Sequence, residues 1–142
     1  MKLYLDIDGV LLTSRQTKAA ENVEELIIFA VQNFDCYWLT THCKGNARQA
    51  LNYLKNYFPI NIVDVLRKVK ATNWDTLKTE GIDFSSNFIW LEDYPLNAEK
   101  LVLKKNKSLN NLIEINLNQE HELLNIVKKL KILINEQHLK LI

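Results

Sequence analysis

Leu3, Tyr4, Leu5 and Ile7 form a short apolar run that ends at Asp6, Asp8 and Gly9. This pattern predicts a buried strand running into a tight turn, with acids at its C-terminal end. From Asn22 onward, Val23, Leu26, Ile27, Ala30, Val31 and Phe34 recur at three- and four-residue intervals, which predicts an amphipathic helix with Asn22 placed to cap it. Cys36, Tyr37, Trp38 and Leu39 predict a second strand, stopping at Thr40, Thr41 and His42. After Gly45, the stripe Ala47, Ala50, Leu51, Leu54 and Phe58 predicts a helix closed by Pro59. Ile60, Ile62, Val63 and Val65 suit a third strand, although Leu66 and Val69 fit a helical turn equally well. Thr72 and Asp75 resemble a capping box, and Trp74, Leu77 and Gly81 share one face of a helix expected to end near Gly81. Phe88 to Leu91 predict a fourth strand, ending in Glu92 and Asp93. Leu112, Ile113, Ile115 and Leu117 predict a fifth, and Leu123, Leu124, Val127, Leu130 and Ile134 a last helix.

Parallel neighbours need crossover connections, so this alternation predicts an α/β fold: a doubly wound, mostly parallel five-stranded sheet with helices on both faces. Composition adds that the 142 residues, 47% hydrophobic and 25% charged, suit one globular domain over residues 1–142 rather than a disordered chain. A net charge of +1 gives no sign of a polyanionic partner, and the cluster Lys104, Lys105 and Lys107 suits a solvated helix face, so nucleic acid is not indicated. Cys36 and Cys43 lie seven apart without a second pair, which argues against zinc and for free thiols in a reducing cytoplasm. No signal-peptide pattern or membrane-spanning apolar run is expected. With only three glycines in the chain, Gly9 directly after Asp8 is informative.

Ligands of open parallel sheets bind beyond the carboxyl ends of the strands, so the polar strand ends are the candidate chemistry. They are Asp6 and Asp8; Thr40, Thr41 and His42; and Glu92 and Asp93. Four carboxylates in one crevice repel each other unless a cation lies between them, and an all-oxygen set favours Mg²⁺ over zinc. Asp6 and Asp8, two apart on an extended strand, can divide labour between nucleophilic attack and proton transfer. Acids after an apolar strand are also common as solvated loop residues, and His42 suits a satisfied or solvated loop position. Tyr37, Trp38, Phe88 and Trp90 are expected mostly in the core.

The segment DIDGVLL, residues 6–12, resembles the first motif of the haloacid-dehalogenase superfamily of phosphohydrolases. Thr40 in YWLTTHC and Glu92–Asp93 in FIWLEDYP stand, in order, where that family has its Thr/Ser motif and its late acid pair, so the resemblance spans roughly residues 2 to 117. It implies a phosphatase with an aspartyl-phosphate intermediate on Asp6 and Asp8 as general acid/base. It also implies Mg²⁺ held by Asp6, the Asp8 backbone carbonyl and Glu92 or Asp93, with Thr40 bonding a phosphoryl oxygen. The family often has Asp where this chain has Glu92. Its lysine falls among Lys68, Lys70 and Lys78; Lys78 is chosen because a helix would put it on the inward face, and Lys70 is the alternative. The gaps between motifs leave no room for a cap domain, as in relatives whose site stays open to large substrates or is covered by a partner. The expected partner is a phosphorylated substrate, small or macromolecular. Two other readings remain. One is a regulatory module that binds metal or phosphate without turnover; the other is a phosphorelay receiver, which would need Asp64 at the end of the third strand.

Overall fold

The computed structural model describes residues 1–141. Along the chain lie β1 (Lys2–Leu5), α1 (Val23–Asn33), β2 (Asp35–Trp38), α2 (Arg48–Leu54), α3 (Ile60–Leu66) and a 3-10 turn (Lys78–Gly81). They are followed by β3 (Phe88–Glu92), α4 (Asn97–Lys105), a short turn (Leu109–Asn111), β4 (Leu112–Glu114) and α5 (Glu122–Lys140). The strands form one parallel sheet in the order β2-β1-β3-β4. Leu5 pairs with Trp38 on one side and Leu91 on the other, so Asp6 leaves the sheet between two strand ends.

Strand alternation sorts the core onto two faces. Leu3, Leu5, Cys36, Trp38, Ile89 and Leu91 point to the face covered by α1, α3 and α5 through Leu26, Ile27, Ile62 and Leu130. Tyr4, Phe88 and Trp90 point to the other, where Leu103 of α4 and Ile82 after the 3-10 turn cover them. Each fully buried leucine or isoleucine contributes about 1.5–3 kcal/mol by leaving water. Trp38, Phe88 and Trp90 are buried core residues, and Tyr37 is partly buried on the face that holds Tyr4, Phe88 and Trp90.

Several expectations are corrected. Among the described residues the sheet has four strands rather than five. Residues 60–66 are helical because Ile62, Val63 and Leu66 are buried together against α1 while Asn61 and Asp64 face solvent, a helical spacing that outweighs the β-branched composition. What stands beyond β2 is a single bridge, Tyr37 to Lys70, in which Trp38 N–H donates to the Lys70 carbonyl at 2.8 Å. No helix runs from Thr72: its hydroxyl donates to the Trp38 carbonyl at 2.5 Å and its carbonyl accepts Gly45 N–H at 2.7 Å, and only Lys78–Gly81 coil, as a 3-10 turn. Asn22 precedes α1 in a left-handed conformation, φ 63°, and makes no side-chain cap bond. α2 ends at Leu54, and Pro59 instead begins α3. The last strand stops at Glu114, and α4 is an addition to the expected elements. Among the described residues no helix is long and apolar enough to cross a membrane.

Candidate functional site

Asp6 and Glu92 are the residues at which β1 and β3 reach the C-terminal edge of the sheet, and Asp93 follows at once. Both Asp6 and Glu92 are buried, at 6% and 3% exposure. Oxygen atoms of Asp6, Glu92 and Asp93 lie within 4.8 Å of one another. Lys78 enters this cluster with its ammonium 2.8 Å from Glu92 Oε1 and 3.3 Å from Asp6 Oδ2. The Ile7 N–H donates to Asp6 Oδ1 at 2.8 Å, which fixes that carboxylate from the other side.

Burial opposes charge on Lys78, but the Asp6 and Glu92 carboxylates outweigh it and raise the ammonium pKa above its ordinary value. Burial pushes the Glu92 carboxyl up to about 9, with the neighbouring Asp6 adding to the shift. Asp93 is raised as well, by burial and then by Asp6. Lys78 thus pairs with Asp6 and Glu92, and Asp93 adds a third carboxyl to the cluster. Glu92 Oε2 is buried and faces no donor among the described residues. An excess of buried, all-oxygen donors with one oxygen unsatisfied fits a hard divalent cation such as Mg²⁺. Asp6, Glu92 and Asp93 would hold it.

Gly9 shapes the rim of the cluster. Its φ is +81°, and a Cβ placed there would run into the Asp93 carboxylate. A side chain at position 9 would therefore be strained and would displace Asp93.

Asp8 turns to a different set of partners. His42 Nε2 stands 2.8 Å from Asp8 Oδ2, and the Tyr53 hydroxyl donates to Oδ1 at 3.1 Å. The His42 and Tyr53 rings stack at 4.0 Å with 13° between planes. Burial, followed by the Asp8 charge, pushes the Tyr53 phenol up to about 12, so it remains a donor. Thr40 is buried two residues beyond Trp38, and its Oγ1 accepts the His42 N–H at 3.3 Å.

The structure therefore brings Asp6, Lys78, Glu92 and Asp93 together, and places Asp8 with His42. Lys78 arrives by a route other than the helical face expected for it. Its backbone N–H donates to Glu99 Oε2 at 2.8 Å, while Glu99 Oε1 accepts the Leu96 N–H at 2.9 Å, so this buried glutamate ties the 3-10 turn to the start of α4. Lys70 pairs with Asp35 at 2.9 Å, at the opposite end of β2. Lys68 is exposed on the turn after α3, and Asp64 lies on the solvent side of α3, 3.1 Å from Arg67, not at a strand end. Tyr53 and Glu99 were not singled out by sequence. Tyr53 lies on the predicted α2 stripe's flank, and Glu99 falls in a helix that was not anticipated. Comparison with protein-family models, with curated proteins and with solved structures finds no match to this chain.

Proposed function

We propose that this chain is a Mg²⁺-dependent phosphohydrolase of the haloacid-dehalogenase type, acting through an aspartyl phosphate on Asp6. The observation that carries the reading is the buried cluster of Asp6, Glu92 and Asp93 around the Lys78 ammonium at the C-terminal edge of a parallel sheet. When bound, Mg²⁺ supplies charge neutralisation for a phosphoryl group and its attacking carboxylate.

The remaining chemistry belongs to the protein. The Asp6 carboxylate attacks phosphorus, and the bond from phosphorus to the leaving oxygen breaks. Asp8 gives that oxygen its proton, then takes one from the water that attacks the aspartyl phosphate, which releases phosphate and restores Asp6. Lys78 neutralises charge developing on the phosphoryl oxygens, as preorganised donors do, and Thr40 donates its hydroxyl to one of them. His42 and Tyr53 orient the Asp8 carboxylate. The helices between β2 and β3 bury Ala50, Leu54, Ile62, Val63 and Leu66 in the main core rather than in a lobe of their own, which supports the capless form. Cys36 and Cys43 are buried and free, and burial pushes the Cys36 thiol up to about 12, in keeping with residence in a reducing cytoplasm.

The test is hydrolysis of p-nitrophenyl phosphate with Mg²⁺ and with EDTA. Turnover that requires Mg²⁺ and is abolished in Asp6→Asn is expected. No turnover sinks the proposal and leaves the non-catalytic module, whereas turnover without Mg²⁺ or retained in Asp6→Asn overturns the Mg²⁺-dependent aspartyl-phosphate mechanism.

A further inference from the structure

A polar cleft of about 680 Å³ opens beside the acidic cluster, with Gly9 and Asp93 in its wall. That volume is typical of sites for small molecules. One side is the loop 13–18, presenting Arg15, Gln16 and Lys18; the other follows β4 and presents Asn116 and Asn118. The loop is held in shape by Thr13, whose N–H donates to the Lys18 carbonyl at 2.9 Å and whose hydroxyl donates to the Arg15 carbonyl at 2.9 Å. Its side chains from Ser14 to Lys18 are exposed and unused by the core.

The charges in this cleft are unevenly committed. Glu114 is paired with Lys100 at 3.0 Å, and Asp93 belongs to the acidic cluster. Among the described residues neither Arg15 nor Lys18 has a carboxylate within ion-pairing distance. Two free cations and several amides in a cleft next to a phosphoryl-transfer centre match an anionic, hydroxyl-bearing leaving group.

Resting on the phosphohydrolase reading, we propose that the cleft binds the leaving group of a sugar phosphomonoester carrying a second phosphoryl group, held by Arg15 and Lys18. The amides of Gln16, Asn116 and Asn118 bond the sugar hydroxyls. A sugar bisphosphate and a nucleotide with a second phosphate share this chemistry.

Two matched pairs test it: glucose 6-phosphate against glucose 1,6-bisphosphate, and adenosine 5′-monophosphate against adenosine 3′,5′-bisphosphate. With wild-type protein and Mg²⁺, a bisphosphate should be favoured by about tenfold or more in kcat/KM, mainly through KM. The double variant Arg15→Gln/Lys18→Gln should cut that preference to about twofold, the statistical advantage of having two phosphates. The pair with the larger preference identifies the source. Monoester turnover without preference beyond twofold, or a preference that survives in the double variant, overturns the cleft assignment and leaves the hydrolase intact. If wild type turns over no ester, the hydrolase reading falls, and the proposed substrate class with it. Thermal shifts of Asp6→Asn add a binding check: equal shifts within each pair also overturn the assignment.

Discussion

Lys70 and Lys78 each hold an ammonium about one hydrogen bond from a carboxylate, 2.9 Å from Asp35 and 2.8 Å from Glu92, yet the two settings differ in every other respect. The Lys70 and Asp35 side chains are 59% and 41% exposed, whereas those of Lys78 and Glu92 are 12% and 4% exposed. At the surface one charge meets one charge, water screens both, and such pairs contribute about 0–1 kcal/mol. Inside, one ammonium meets Asp6 and Glu92, with Asp93 close by, and the imbalance cannot be relieved by water. Distance alone thus separates nothing here. Burial together with unequal charge does, because a fold that keeps excess carboxylate out of water bears an electrostatic cost that a purely structural pair avoids.

The sharpest break of this comparison is Lys78→Ala. Removing the ammonium from the proposed phosphoryl-transfer site should lower kcat on p-nitrophenyl phosphate by on the order of 10²-fold or more. In chelator it should also lower stability by about 3–5 kcal/mol, the usual cost of orphaning buried charges. A variant within threefold of wild type in kcat would show that Lys78 is a structural pair like Lys70.

Next in size is the pH dependence set by Glu92. Its folded-state pKa is raised from 4.5 to about 9, so the folded protein keeps a proton that the unfolded chain releases. The resulting stability is fully present below 4.5 and is lost as pH rises through about 9. Asp93, also raised, contributes with the same sign. With chelator present, the melting temperature should fall across this window, and Glu92→Gln should flatten the fall. An equally steep profile in Glu92→Gln would place the proton elsewhere.

A smaller effect is expected at Asp8, whose side chain is 45% exposed and so resembles the surface pair more than the buried one. Tyr53→Phe removes one of two groups that orient it. A loss of roughly threefold to tenfold in kcat is expected, largest for esters with poor leaving groups, which depend most on protonation. An equal loss on aryl and alkyl phosphates would mean that Tyr53 acts only on packing. Smallest of all is Lys70→Ala, expected to stay within about twofold in kcat and about 1 kcal/mol in stability. A loss near that of Lys78→Ala would reverse the assignment of the two lysines.

Strand ends were the legible part of this sequence. β1, β2 and β3 are short and largely apolar, and Asp6, Thr40 and Glu92 stand at or just beyond their C-terminal ends, so the alternation of the chain marks both the parallel sheet and the acids at its edge. What was illegible depended on partners distant in sequence. The β-branched run 60–66 suits a strand locally, and only its burial against α1 decides for a helix. α4 buries just Glu99 and Leu103, too thin a stripe to announce itself. Lys78 was singled out for a helical face that does not exist; it is directed inward by the Glu99 carboxylate on its backbone N–H, a bond across 21 residues. The pairing of Asp8 with Tyr53, across 45 residues, has no local signal at all.

The proposed role of Asp6 as a nucleophile beside Mg²⁺ and Lys78 is tested most directly by thermal stability in the presence of beryllium fluoride. That complex mimics a phosphoryl group on a carboxylate and needs no knowledge of the substrate. A ligand bound only by the folded state adds about 2.7 kcal/mol at a hundredfold excess over its Kd, a shift of several degrees for a chain of this size. The expected shift requires both Mg²⁺ and beryllium fluoride, vanishes in Asp6→Asn and persists in Asp8→Asn. No shift in wild type, or a shift retained in Asp6→Asn, would contradict that role.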